Sequence, residues 1–205
     1  AVQESIFTRK GTERIIRYAY EYAKANNMTK VLSATKSNAL NHSMVFWDKI
    51  FDEVRAEYPE MESSQMHIDA LAGYFIMHPE RLEMVVASNL FGDILTDLGA
   101  AITGGMGLAA GANLNPERKF PSMFEPIHGS APDIAGQNIS NPLATCWSIS
   151  QMLDHFDCEA EGALILKAIE NTLVDAKYLT PELGGNASTQ EVGAEVIRQY
   201  QALHA

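Results

Sequence analysis

Two aspartates four residues apart, Asp93 and Asp97, form the sharpest chemical pattern in the sequence, within the segment NLFGDILTDLGA. On a helix this spacing places both carboxylates on one face, with their Cβ atoms about 5–6 Å apart. Their oxygens are hard ligands, which suit Mg²⁺ or Mn²⁺ rather than zinc. The apolar residues around them predict a helix buried on much of its surface, where a divalent cation would relieve the repulsion between the acids. The alternative is a pair of solvated acids on an exposed face.

A third acid and a lysine occupy positions where α/β proteins bind ligands. Asp69 begins an apolar stretch that predicts a helix over residues 69–78, and by itself it is explained as an acid favoured by the helix dipole. Lys36 lies at the carboxyl end of a predicted strand over residues 30–34, in the polar tetrad TKSN. Beside a carboxylate-bound metal it could hold an anionic substrate or move a proton, whereas by itself it is explained as a surface lysine.

The segment EPIHGSAPDIAG, residues 125–136, combines an imidazole ring, a glycine and a predicted helix start. Ser130 and Asp133, with a proline between them, fit a capping pattern at a helix N-terminus. Capping does not explain His128 and Gly129. A flat ring, close backbone approach and free N–H groups suit a nucleotide, and a nearby carboxylate would repel a 2′-phosphate and so favour NAD over NADP.

Strands alternate with helices along the chain, which indicates an α/β architecture. The glycine run from Gly105 to Gly111 has one residue too many for a dinucleotide-binding fingerprint and follows a predicted helix, so we exclude it as one. The predicted helices cover residues 12–26, 47–57, 69–78, 90–101, 142–155, 160–176 and 189–203, and the predicted strands 30–34, 83–87 and 124–127.

The composition is that of a folded, acidic protein. Of its 205 residues 46% are hydrophobic and 20% charged, and the net charge is −11. That balance argues against nucleic acid or an anionic membrane as a partner, since both bind basic patches. Two cysteines, no long apolar run and no secretion signal indicate a cytoplasmic protein. The start at Ala1, without a methionine, predicts a piece of a longer protein.

The motifs SNLFGDILTDLGA and FEPIHGSAPDIAGQNISNPLAT, with SATKSN and HIDAL before them, closely resemble those of the metal-dependent β-decarboxylating dehydrogenases. These are the isocitrate and 3-isopropylmalate dehydrogenases, and the flanking segments look most like the tartrate/D-malate branch. The resemblance covers essentially the whole chain. It implies an α/β, isocitrate/isopropylmalate dehydrogenase-like fold of parallel strands alternating with helices, in which the N-terminal strands are missing. Residues 1–103 would be part of the dimerisation and metal-binding domain, and residues 104–205 the C-terminal part of the larger NAD-binding domain.

The resemblance also implies a role for each motif residue. Asp69, Asp93 and Asp97 match acids that bind Mg²⁺ or Mn²⁺, and Lys36, with Asp69, matches the catalytic group that assists removal of the hydroxyl proton. The residues that match NAD-binding positions are Asn38 near the nicotinamide, His128, Gly129, Ser130 and Asp133 at the adenosine, and Asn141 near the adenine.

The implied function is NAD- and Mg²⁺/Mn²⁺-dependent oxidative decarboxylation of a 2-hydroxy dicarboxylate of the D-malate or tartrate type, in a homodimer with shared active sites. In the family, a tyrosine that protonates the enolate and the arginines that bind the substrate carboxylates lie at positions before the one that matches Ala1. We therefore expect this chain to be inactive alone. The alternatives are 3-isopropylmalate dehydrogenase activity, a non-catalytic dimerisation or regulatory module, and a metal-dependent phosphohydrolase. The last would leave residues 128–133 without a role.

Overall fold

The computed structural model describes residues 1–204 and divides the chain into two compact units, one over Ala1–Gly99 and one from Ala100 onwards. The sequence-based division at 103/104 lies close by, and the roles assigned to its two parts stay predictions. No helix within residues 1–204 is long and apolar enough to cross a membrane. In chain order the elements are α1 (Arg9–Ala25), β1 (Lys30–Thr35), α2 (Ser43–Arg55), β2 (Glu62–His67), α3 (Ile68–Met77), β3 (Met84–Val86), α4 (Asn89–Ile102), β4 (Ala110–Asn113), β5 (Met123–Pro126), α5 (Leu143–His155), α6 (Glu159–Asp175) and α7 (Thr189–His204).

The first unit is built around three parallel strands in the order β2-β1-β3. The central strand, KVLSAT, buries most of its side chains because it is covered by helices as well as flanked by strands. Its register pairs Thr35 with His67 of β2 and Ser33 with Val86 of β3. Parallel strands in register end at the same edge, so the segments that follow all three strands start from one side of the sheet.

Helices α1 and α2 form the core of this unit together with β1. Their apolar residues recur at three- and four-residue spacing, which gives each helix one buried face. The hydroxyl of Thr8 caps α1 by accepting a hydrogen bond from Gly11 N at 3.1 Å. Trp47 Nε1 donates to Ser33 Oγ at 2.9 Å in the buried interior, which satisfies a polar pair between α2 and β1. The buried apolar side chains of the two helices are Ile16, Ala19, Tyr20, Ala23, Met44, Trp47, Ile50, Phe51 and Val54.

The second unit packs three helices beside a two-stranded antiparallel sheet, β4-β5. Its buried core is formed by Leu143 of α5, Ala168 and Ile169 of α6, and Val192 and Val196 of α7. Helices α5 and α6 approach each other closely at Gly162 of α6. A Cβ atom at this position would collide with the side chain of Asp154 on α5.

Two strands lie where the sequence pattern did not predict them. The β2 segment, ESSQMH, is an edge strand in which no residue is buried, so its polar composition carries no apolar pattern. The β4 segment, AGAN, begins at the end of the glycine-rich run, which therefore joins a helix to a strand and opens no dinucleotide-binding helix. The predicted parallel pairing is confirmed for β1, β2 and β3, and β4 pairs with β5 in an antiparallel manner.

Helix α2 offers a direct test of its buried face, because it carries one valine on each side. Val54 is 1% exposed and Val45 is 49% exposed. We expect Val54→Ala to lower the free energy of unfolding of the first unit by about 2 kcal/mol, through lost burial and the cavity it leaves.

Val45→Ala is the matched control, since both changes alter helix propensity equally; its effect should stay within about 0.5 kcal/mol. Chemical denaturation of the two variants measures the difference. Equal effects of the two substitutions would contradict the packing of α2 described here.

Candidate active site

Lys36 and Asp69 form an ion pair at the carboxyl edge of the parallel sheet. Because Thr35 and His67 are opposite each other in the register, Lys36 leaves β1 beside the first turn of α3, where Asp69 lies. The Lys36 Nζ to Asp69 Oδ1 distance is 2.5 Å. The lysine side chain is 24% exposed and the aspartate 67%, so the carboxylate reaches solvent while the lysine stem is largely covered.

This contact lowers the pKa of Asp69 below its ordinary value. The largest cause is the hydrogen bond from Lys36, and the backbone N–H groups of Asp69 and Ala70 at the start of α3 contribute further. The carboxylate is therefore ionised at neutral pH. It can orient the lysine ammonium, and its exposed oxygens retain lone pairs that can bind a cation or a polar ligand.

Asp93 and Asp97 lie on an exposed face of α4, which corrects the prediction that this helix is buried around them. Phe91 and Leu95, on the opposite face, are buried at 6% and 3% exposure. The apolar neighbour Ile94 is 45% exposed on the same side as the acids. Helix α4 thus carries the apolar residues that the sequence indicated. Within residues 1–204, however, other parts of the chain cover only the side with Phe91 and Leu95.

The described chain does not gather the three predicted metal-binding acids into one cluster. Within residues 1–204 there is no group of three or more His, Cys, Asp or Glu side chains placed to hold a metal ion. Asp69 faces Lys36, while Asp93 and Asp97 project from α4 on its exposed side. Asn38 lies two residues after Lys36 in an exposed turn. Their predicted roles in binding metal and nicotinamide stay predictions.

A cleft of about 440 Å³ lies in the second unit at the predicted adenosine-binding segment. Three of the predicted residues, His128, Gly129 and Ser130, line it. The His128 ring is held by a 3.0 Å hydrogen bond between its Nδ1 and the carbonyl of Gly129. The lining residues are His128, Gly129, Ser130, Ala131, Ile134, Ala135, Gly136, Asn138, Ser140, Thr189 and Gln190.

Asp133 is exposed and lies outside the set that lines the cleft. The expected helix cap does not form, because Ala131 rather than Ser130 precedes the turn, with φ +41°, and only a single 3₁₀ turn over Pro132–Ile134 follows. Gln137 Nε2 donates to the carbonyl of Asp133 at 2.7 Å and closes the turn. The capping pattern was therefore wrong about the type of helix, because a single 3₁₀ turn forms there.

Asn141 is 6% exposed and is also not part of the cleft lining. Its Oδ1 accepts a hydrogen bond from Leu143 N at 2.9 Å and so satisfies a donor at the start of α5. Its Nδ2 is buried and has no hydrogen-bond partner within residues 1–204. A buried donor of this kind is costly unless it meets an acceptor, so the predicted contact with a bound ligand fits its chemistry.

Four cleft residues lie outside the predicted segment, residues 125–136, namely Asn138, Ser140, Thr189 and Gln190. They come from two segments that are about fifty positions apart in the sequence, and neither segment carries a motif for ligand binding. The only local signal was the helix start that follows Ser188. Their proximity depends on tertiary hydrogen bonds, which a sequence pattern does not reveal.

Comparison with known proteins assigns the fold and the family. The family model for isocitrate/isopropylmalate dehydrogenase matches residues 1–196. The chain is 49% identical over 203 residues to a probable tartrate dehydrogenase/decarboxylase of Bacillus subtilis, covering 99% of this chain and 57% of that protein. It is 50% identical over 204 residues to the D-malate dehydrogenase (decarboxylating) of Escherichia coli, covering 96% of this chain and 56% of that protein.

Solved structures agree with this assignment. The isocitrate dehydrogenase of Methylococcus capsulatus superimposes with a TM-score of 0.92 at 36% identity, over 96% of this chain and 58% of that one. A β-decarboxylating dehydrogenase of Thermococcus kodakarensis gives a TM-score of 0.85 at 35% identity, over 98% and 58%. The chain belongs to the isocitrate/isopropylmalate dehydrogenase family, and it spans just over half the length of the curated relatives it matches.

The ion pair at the sheet edge predicts a measurable titration. We expect Lys36→Met to raise the pKa of Asp69 towards the value of about 3.9 for free aspartate, because the strongest hydrogen bond to the ionised carboxylate is lost. The rise should be incomplete, since the N–H groups at the start of α3 remain. An NMR pH titration of the Asp69 carboxyl carbon in both proteins measures it, and an unchanged pKa would mean that the pair does not form in solution.

The same pair contributes to stability with a defined pH dependence. Because the pKa of Asp69 is lower in the folded chain than in the unfolded chain, the contribution is present above about pH 4 and is lost as the pH falls through the folded-state pKa. The difference in unfolding free energy between the wild type and Lys36→Met should therefore shrink in acid.

Proposed function

We propose that the protein catalyses the NAD- and Mg²⁺/Mn²⁺-dependent oxidative decarboxylation of a 2-hydroxy dicarboxylate of the D-malate or tartrate type. The observation that carries the proposal is the Lys36–Asp69 pair at the carboxyl edge of the sheet. The chain around it is 49% and 50% identical to decarboxylating dehydrogenases named for tartrate and D-malate. Because the chain spans 57% and 56% of those relatives, the activity is proposed for the whole protein, and the 205 residues alone are expected to be inactive.

The residues at this edge supply proton handling and positioning. Asp69 holds Lys36 Nζ at a fixed point. Once the lysine ammonium has released a proton to solvent, its neutral amine would take the hydroxyl proton of the substrate as the alcohol carbon is oxidised. NAD, when bound, supplies the hydride acceptor, and Mg²⁺ or Mn²⁺ supplies the charge that stabilises the oxygen anion formed on loss of CO₂. Lys36 would also attract an anionic substrate to an otherwise acidic chain.

The 440 Å³ cleft at residues 128–136, here called the adenosine cleft, has a neutral lining that supports NAD rather than NADP. Among the residues described as lining it there is no Lys, Arg, Asp or Glu, and His128 is the one titratable side chain. A 2′-phosphate placed there would find no cationic side chain to balance its charge. The exposed carboxylate of Asp133, just outside the lining, would add repulsion.

A homodimer with shared active sites accounts for the incomplete acid cluster. Asp93 and Asp97 share the exposed side of α4 with Leu90 and Ile94, which are 65% and 45% exposed. These two apolar side chains lie together on one exposed face of α4, where another chain could cover them. A second copy packed there would bury the apolar residues, and we propose that it brings its own Asp69 to these two acids to complete the metal site.

The activity can be tested in a chimera in which this chain replaces the matching part of the Bacillus subtilis relative. We expect the chimera to form NADH from D-malate or tartrate in the presence of Mn²⁺. Lys36→Met should slow turnover by about a hundredfold or more, because a positioned proton acceptor is removed. NADH absorbance follows both reactions.

Three other results would redirect the assignment. Faster turnover of 3-isopropylmalate than of the other two acids would assign that substrate. Hydrolysis of phosphate esters without NADH formation would favour a phosphohydrolase, and a folded chimera without either activity would favour a non-catalytic module. Turnover by the 205-residue chain alone would contradict its expected inactivity.

The proposed subunit interface can be tested independently of activity. We expect Ile94→Asp to weaken self-association of the chain by at least about tenfold, because it would bury an unpaired charge in the interface. Val45→Asp is the matched control, since Val45 is also an exposed aliphatic residue, 49% exposed, but belongs to a different helix, α2. Sedimentation velocity over a range of concentrations measures both. A monomeric wild type, or equal effects of the two changes, would refute an interface on this face of α4.

A further inference from the structure

We propose that Asn138 is a positioning residue that holds the two walls of the adenosine cleft together. One wall is the turn over residues 128–136, and the other is the first turn of α7. The inference rests on the proposed binding of NAD in this cleft and adds a residue on which the shape of the cleft depends.

Asn138 accepts two hydrogen bonds from α7. Its carbonyl oxygen accepts from Thr189 N at 2.9 Å, and its side-chain Oδ1 accepts from Gln190 N at 3.3 Å. A third bond runs beside them, from Thr189 Oγ1 to the carbonyl of Ser140 at 2.5 Å. Backbone and side chain of a single residue thus fasten the end of the loop to the helix that faces it.

The backbone conformation of Asn138 explains why this residue type suits the position. Its φ of +57° lies in the left-handed region, which asparagine and glycine tolerate better than other residues. Glycine would adopt the same conformation but offers no side-chain acceptor. Asparagine therefore combines the required backbone geometry with the second hydrogen bond.

The remainder of the loop has no comparable attachment. Within residues 1–204, every hydrogen bond described for residues 128–137 joins positions no more than four apart. The nearest fixed point on the other side is Ile127 N, which donates to the carbonyl of Ala109 at 3.0 Å. The spacing between the turn and α7 therefore depends on Asn138 and its neighbour Ser140.

The first turn of α7 positions one wall of the cleft and offers no free N–H group to an anion. The N–H groups of Thr189 and Gln190 donate to Asn138, that of Glu191 donates to the hydroxyl of Ser188, and that of Ser188 donates to the carboxylate of Glu191. All four donors that a helix normally leaves free are therefore occupied. Loss of the Asn138 side chain would release the Gln190 donor and loosen the wall, while every other side chain that lines the cleft is retained.

Calorimetric titration of the 205-residue chain with ADP-ribose tests the proposal. Asn138→Gly keeps the left-handed backbone and removes the side-chain acceptor, so ADP-ribose should bind about fivefold more weakly. Asn138→Asp retains an acceptor oxygen and should bind within about twofold of the wild type at moderate salt. Asn27→Gly is the matched control, because Asn27 is also left-handed, with φ +56°, and lies in the first unit; its affinity should not change.

A purely structural role is separated from positioning by kinetics. In the active chimera, Asn138→Gly should raise the KM for NAD by the same factor and leave kcat and the KM for the hydroxy acid unchanged. If Asn138→Gly fails to fold, Thr189→Val, which removes the bond to Ser140, takes its place with the same expectation. Wild-type affinity in the folded variant, or equal losses in Asn138→Gly and Asn138→Asp, would overturn the role of Asn138. Failure of the wild-type chain to bind ADP-ribose would overturn the cleft's proposed ligand as well.

Discussion

The parallel register of β1 with its two neighbours is the constraint on which the chemistry of the first unit depends. A slip of one residue between β1 and β2 would turn the side chains of one strand to the opposite face. It would also displace Lys36 from the start of α3 and separate it from Asp69. The buried side chains of β1 and the Trp47–Ser33 hydrogen bond oppose such a slip, because either would be left unpacked or unpaired. Core packing therefore fixes the distance between two polar groups that lie outside the core.

The first unit shows what local patterns can and cannot predict. The strand at residues 30–34 and the amphipathic helices were predicted within a few residues, because apolar spacing dictates which face must be buried. Strand β2 was missed, since its exposed edge position removes the apolar alternation that would mark it. The predicted burial around Asp93 and Asp97 was also wrong. An apolar pattern shows which face of a helix is suited to burial, but not whether the same chain or another chain covers that face. Sequence spacing determines the face, and only packing determines the partner.

The second unit shows the opposite balance. The motif residues His128, Gly129 and Ser130 line the cleft. The sequence pointed to them because helix capping explains Ser130 but does not explain an imidazole followed by a glycine. The facing wall could not be predicted, since Asn138 and Gln190 meet only through tertiary hydrogen bonds. Asp133 and Asn141 fall between these cases. They lie beside the cleft rather than in it, one exposed and one buried at the start of α5.

The edge position of β2 also bears on how copies of this chain behave in concentrated solution. Within residues 1–204 the strand is hydrogen-bonded to β1 on one side only, so its outer row of N–H and C=O groups faces no other strand of this part of the chain. Its sequence is polar and begins with Glu62, which disfavours a dry, apolar association along that row. The net charge of −11 adds long-range repulsion between copies, and salt would screen it. Colloidal stability of the chain therefore depends on ionic strength as well as on folding.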